Sequence, residues 1–220
     1  GGPNTNVIDK FSFSVDGNAT DVGDLSVIRG YPCGQSSETH GYSSGGSPTS
    51  NVIDKFTFSA DADATDVGDL TTSRTTPAGQ SSSTHGYASG GYFPYQNSNV
   101  IDKFSFASDG NAVDHGDLSI AVAHPTGQSS TTHGYHTGEQ PAGTAMGKFA
   151  FASNVTGTDV GDLTTSRGYC AGISSTTDGY TAGGSGPSNV IDKFSFSVDG
   201  NATDVGDLTT TKKACAGQQH

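Results

Sequence analysis

The chain has 220 residues, enough for one large β-domain or two small ones with a real core. Only 31% of it is apolar, and 32 glycines and long Ser/Thr runs stand where Leu, Ala, Glu and Lys would build helices, which excludes a helical fold. A formal net charge of -12 argues against a sequence-independent grip on DNA or RNA, so nucleic acid is not an expected partner.

From the N-terminus, residues 6–14 alternate in polarity, with Ile8, Lys10 and Ser12 on one parity and Val7, Phe11 and Phe13 on the other. This predicts a strand with one buried face. Asp16-Gly17-Asn18 is a hairpin signal, and a second strand is expected around Val22 and Leu25. An Arg/Pro/Gly connector follows, seen in the next copy as Arg74 to Gly79. Then come a Ser-rich strand from Gln80 to Thr84, a tight turn at His85-Gly86, and a fourth strand from Tyr87 towards Gly90-Gly91.

The whole pattern repeats. Lys-Phe recurs with its lysine at Lys10, Lys55, Lys103, Lys148 and Lys193, at spacings of 45, 48, 45 and 45 residues, preceded by aspartate in every copy but the fourth, which has Gly147. Gly-Asp-Leu keeps the same intervals, with aspartates at Asp24, Asp69, Asp117, Asp162 and Asp207. Such regularity is foreign to a disordered chain. One domain spanning residues 1–220 is expected, with repeats starting near residues 6, 51, 99, 144 and 189. No apolar run approaches transmembrane length and no charged, apolar leader opens the sequence, so neither membrane insertion nor a secretion signal is expected of these residues.

Four short antiparallel strands at this period are the signature of a β-propeller blade. The small residues of the Ser-rich strand suit the crowded axis, and Phe-x-Phe suits packing between blades. The two chain ends hold parts of a fifth unit, seven residues short of a full repeat and lacking most of two strands. That predicts five blades, the last closed by the N- and C-terminal pieces; a stretch of a longer array fits the same arithmetic.

In the phase Arg74, Ala78-Gly79-Gln80, Tyr87, Gly90-Gly91, residues 99–106, Gly116-Asp117-Leu118, the repeat resembles the kelch type, whose blades share this order of features. The tryptophan of the kelch fourth strand is absent, and Leu118 stands near its place. The near-identity of the Gly- and Ser/Thr-rich copies is also similar in style to repeat proteins of bacteriophage tails and other virion appendages. These resemblances imply a kelch-like propeller, extracellular or on a virion, that engages other virion or assembly proteins or a cell-surface glycan. An oligomer is compatible with that.

Several repeated residues invite chemistry. Asp16, Asn18 and Asp21, with copies led by Asp61, Asp109 and Asp199, offer oxygen ligands that make them calcium candidates, although a hairpin explains them without metal. His40, His85 and His133, with Asp178 in the fourth place, could ring an axis, or could simply occupy a turn. Tyr42, Tyr87, Tyr135 and Tyr180 could stack sugar rings as weak multivalent sites, or pack between blades. Tyr92, Phe93 and Tyr95 belong to an insertion with no counterpart in other copies and are the better partner-contact candidates. Cys33, Cys170 and Cys215 share one connector, and a Cys33–Cys215 staple across the chain ends is conceivable. No catalytic residue is expected, because nearly every polar group has copies and a catalytic centre is one asymmetric cluster. No cofactor is expected beyond the calcium candidates. The expected function is non-enzymatic: a structural or receptor-engaging module of an extracellular assembly, with a soluble lectin-like or protein-interaction propeller as the alternative.

Overall fold

The computed structural model describes residues 4–139, 143–186, 188–214 and 216–217. Its strands form five antiparallel sheets. The first sheet holds β1 (Thr5–Lys10) and β2 (Thr20–Arg29), and the second holds β3 (Cys33–Ser36), β4 (His40–Ser44), β5 (Ser50–Thr57) and β6 (Thr65–Arg74). The third holds β7 (Ala78–Ser81), β8 (His85–Ser89), the short β9 (Tyr92–Phe93), β10 (Gln96–Ser105) and β11 (Val113–Val122). The fourth holds β12 (Thr126–Ser129), β13 (His133–Thr137), β14 (Ala145–Ala150) and β15 (Thr158–Asp162). The fifth holds β16 (Ala171–Ser174), β17 (Asp178–Ala182), β18 (Val190–Ser195) and β19 (Thr203–Asp207). No sheet closes into a barrel, and the all-β arrangement is compatible with a propeller-like fold.

The sheets pack face on face, led by their innermost strands. A Cβ on Gly79 would overlap the carbonyl of Gly34, and Gly127, Gly172 and Gly217 stand in the same relation to Gly79, Gly127 and Gly172. Backbones approach this closely only where there is no side chain. Beside the glycines, Gln35, Gln80 and Gln128 each donate from Nε2 to a backbone oxygen of the next sheet, on Tyr87, Tyr135 and Tyr180, at 2.8, 3.0 and 3.1 Å. The succession does not return to the first sheet among the described residues. A Cβ on Gly23, Gly68 or Gly161 would strike the next sheet's turn, whereas Gly206 faces open space.

The expectation of one buried face per strand is corrected here. Ile53 and Asp54 are both fully buried, as are Ile101 and Asp102, because each interior sheet is covered on both sides. The aspartates are held by the preceding sheet: Arg29 pairs with Asp54 at 2.8 Å, Arg74 with Asp102 at 2.8 Å, and Arg167 with Asp192 at 2.9 Å. Between the third and fourth sheets the set is exchanged as a unit. Val122 replaces the arginine, Gly147 the aspartate, and the His136 ring fills the space a Cβ on Gly147 would need.

The expected Ser-rich strand is also shifted. The strand runs Ala78–Ser81, and residues 82–84 make the turn, with the Ser82 N–H donating to the His85 carbonyl at 2.9 Å. His85-Gly86 is therefore not the turn but the start of β8. Glycine is required at 86 because a Cβ would collide with the Phe104 ring, as at Gly41, Gly134 and Gly179 against Phe56, Phe149 and Phe194.

Candidate functional site

In a four-stranded meander the loops alternate ends. The connections between first and second and between third and fourth strands share one end; those between second and third strands and between sheets share the other. Because the chain repeats itself, each loop can be compared with its own copies.

The first end is nearly constant in sequence. Its first loop reads Ser-Ser-x-Thr followed by His40, His85, His133 or Asp178, then glycine. The serine hydroxyl accepts from the backbone N–H three residues on, at 3.0 Å in the three histidine copies, and each histidine Nδ1 lies 2.8 Å from the preceding threonine hydroxyl. Burial lowers the pKa of His85 and His133, with Lys103 and Lys148 adding to it. The second loop carries the calcium candidates, and their acids serve as links between sheets. Lys10 pairs with Asp61, Lys55 with Asp109 at 2.8 Å, and Lys148 with Asp199 at 2.7 Å. Asp16 and Asn18 are exposed, and Asp21 Oδ1 accepts the Gly23 N–H at 3.1 Å. Sequence constancy at this end thus has a packing explanation.

The opposite end varies among the copies. Its inter-sheet connectors each hold one non-glycine residue in the left-handed region: Tyr31, Thr76, His124, Tyr169 and Ala214, with φ of 53, 55, 55, 56 and 54°. Such residues cost of order 1 kcal/mol each and persist only where the surroundings fix them. The backbone is tied across connectors, Thr76 N–H donating to Tyr31 O at 3.2 Å and Ala214 N–H to Tyr169 O at 3.0 Å. One strained geometry therefore presents five positions whose side chains are free to vary. The His124 and Tyr169 rings lie 4.0 Å apart, with Tyr169 OH 3.0 Å from His124 Nε2. Burial lowers the His124 pKa and raises that of Tyr169, which the nearby Tyr31 raises further. All five residues line a cavity of about 780 Å³ that also runs past Gly34, Gly79, Gly127 and Gly172. Sequence reasoning missed this mouth. Its signal was present: one connector position, always at the same phase, changes identity in almost every copy.

The insertion belongs to the same end. Tyr92 is bridged to Thr75 by reciprocal backbone hydrogen bonds of 2.8 and 3.0 Å, and β9 turns back onto β10. Tyr95, with φ of 78°, is 96% exposed, Tyr92 is partly exposed and Phe93 half-buried. The repeated tyrosines are placed differently from the insertion. Tyr42, Tyr87 and Tyr135 are buried and stack on Phe106, Phe151 and Phe196 of the following sheet at 4.8, 4.6 and 4.9 Å, leaving no face for a sugar ring; Tyr180 is half-buried. Cys33 is buried, and burial pushes its thiol up to about 11. Cys170 is buried as well, and Cys215, with the staple expected of it, lies outside the described residues.

No protein-family model matches the sequence, and no curated protein does. In three dimensions the chain is similar to the solved structure of YjhT, with a TM-score of 0.73 over 87% of this chain and 70% of that one. Sequence identity is 13%, so the likeness concerns the fold alone.

Proposed function

We propose that the chain is a non-enzymatic binding module: a kelch-like propeller whose blades are the sheets described above, the fifth divided between the two chain ends. One end staples the blades together and the other meets a partner. The observation that carries this reading is the polarity of variation among copies, constant where loops bond to the next sheet and divergent where connectors and the Tyr92–Tyr95 hairpin converge. Divergence on a fixed, strained backbone is what a binding surface needs and packing does not. The same residues give no paired carboxylates, and the Tyr169 hydroxyl beside His124 Nε2 lacks the third group that would orient the imidazole, His124 Nδ1 having no partner among the described residues, so recognition fits them better than catalysis.

The module belongs, in this proposal, to an extracellular assembly such as a phage tail or other virion appendage, and engages another assembly protein or a cell-surface receptor. A lectin-like role is the second reading, favoured by the aromatic character of the variable end, where Tyr31, Tyr92 and Tyr95 are exposed and Tyr31 lies near Tyr169. A glycan array separates the two. Saturable binding to arrayed sugars that is lost in Tyr92→Ala/Tyr95→Ala supports the lectin role. A blank array together with stoichiometric retention of the chain in purified particles supports the assembly role.

A further inference from the structure

We infer that the seam between the third and fourth sheets carries a site for a ligand's carboxylate, centred on the Lys103 ammonium, at the place where other seams supply an aspartate of their own. Those seams are closed by ion pairs of Lys10 with Asp61, Lys55 with Asp109 and Lys148 with Asp199. Between the third and fourth sheets the lysine is kept and the acid is not, because Asn154 stands at the position of Asp61, Asp109 and Asp199. Among the described residues the Lys103 ammonium reaches one acceptor, the Phe151 carbonyl, at 3.5 Å, the outer limit of a hydrogen bond. A lysine has three donors to place.

The asparagine does not stand in for the acid. Its Nδ2 donates to the Asp114 carbonyl at 3.4 Å, and its Oδ1 lies beside Gly116, 2.8 Å from where a Cβ would be. Gly116 has a φ of 100°, against 146, 154, 147 and 147° at Gly23, Gly68, Gly161 and Gly206, so the β11 backbone is reshaped where the asparagine sits against it. The neighbouring Asp114 carboxylate is engaged in its own turn, where it accepts the Gly116 N–H at 2.7 Å.

Basic groups gather at the same point. Around the Tyr87 ring centroid, Lys103 Nζ lies at 5.8 Å, the His115 ring at 5.3 Å and the His85 ring at 6.5 Å. His115 replaces the valine of the other copies, Val22, Val67, Val160 and Val205, and its Nε2 donates to the Ala150 carbonyl at 2.9 Å. Burial lowers the pKa of His85, and the charges of Lys103 and His115 lower it further, a repulsion that a bound anion would relieve. Lys103 and His85 are half-buried and Asn154 is exposed, so a small anion meets the ammonium from solvent without entering the core. The Tyr87 ring is already stacked on Phe151 at 4.6 Å, which leaves charge-assisted hydrogen bonding as the means of recognition. The ligand class is therefore the carboxylate itself, as borne by an acidic sugar or by an acidic side chain.

The test uses the full chain, labelled with carbon-13 at lysine Cε and titrated at constant ionic strength with glucuronate, with N-acetylaspartyl amide and with neutral glucose. The inference expects a saturable shift of the Lys103 signal with the acids, at a dissociation constant on the order of 1 mM, and none with glucose. The Lys55 and Lys148 signals should stay in place, because their ammonium groups already hold Asp109 and Asp199. Tighter binding of glucuronate assigns the site to acidic sugars, and tighter binding of the aspartyl derivative assigns it to protein side chains. Asn154→Asp supplies the acid from within and should weaken binding roughly tenfold or more, whereas Asn154→Ala should bind as the parent does. Position 154 is exposed, so both variants should keep their fold, which thermal melts check. A flat titration with both acids overturns the inference, as does a shift that glucose reproduces or that Asn154→Asp leaves unchanged. None of these results bears on the variable end, because the seam site lies at the end opposite the Tyr92–Tyr95 hairpin.

Discussion

Arg74 and Asp102 meet at 2.8 Å with no side-chain exposure on either, and burial raises the carboxyl's pKa despite the guanidinium beside it. Attraction thus does not fully offset desolvation, and the pair contributes more to which sheet faces which than to net stability. Losing one partner is a different matter. Arg74→Leu leaves a buried carboxylate and should cost about 3–5 kcal/mol by urea unfolding. Installing the natural alternative as a set, Arg74→Val with Ala88→His and Asp102→Gly, should recover most of that loss, because the Val122, His136 and Gly147 interface already works without charge. His136 has its own consequence. Burial lowers its pKa from 6.5 to about 4, and neither ring nitrogen has a hydrogen-bond partner. As pH falls from 6.5 towards 4 the unfolded chain takes up a proton that the folded chain refuses, so stability should drop by about 3 kcal/mol by pH 4 from this group. His136→Leu should flatten that part of the stability profile in denaturant titrations at a series of pH values; an unchanged slope would show the ring to be solvated. The buried aspartates were the least legible residues, since alternation assigns a strand one dry face and a sheet covered on both sides has two. Their joint exchange with arginine between copies was the available clue.

Elements were easier to read than residues. The repeat period, the all-β class and the Asp-Gly-Asn hairpins were legible because turn chemistry is local and recurs in phase. The Ser-rich strand was misplaced because serine suits both a crowded strand and a turn, and only the hydrogen bond from Ser82 to His85 decides. Glycines separate by role in the same way. Gly79→Ala would push a methyl group into the Gly34 backbone and should cost about 1–3 kcal/mol, whereas Gly17→Ala meets nothing within 4 Å and should change stability by about 0.5 kcal/mol or less. Thermal melts of the two variants check this, and equal losses would mean that the innermost strands are not stacked as described.

At the scale of the whole molecule, the Tyr92–Tyr95 insertion was visible as a break in the repeat, while the mouth formed by Tyr31, His124 and Tyr169 was not, because three residues dispersed along the sequence meet only when the sheets stack. The fold turns sequence variation into a polarity: one constant end, one divergent end. That polarity is open to direct measurement. Two alanine sets of similar size can be made, one at Tyr31, Tyr92 and Tyr95 on the divergent end and one at Thr39, Thr84 and Thr132 on the constant end, and labelled chains compared for binding to intact host cells and purified particles. The account predicts that the first set abolishes binding with the fold intact and that the second leaves it within about twofold. Loss of binding in the second set with retention in the first would contradict it.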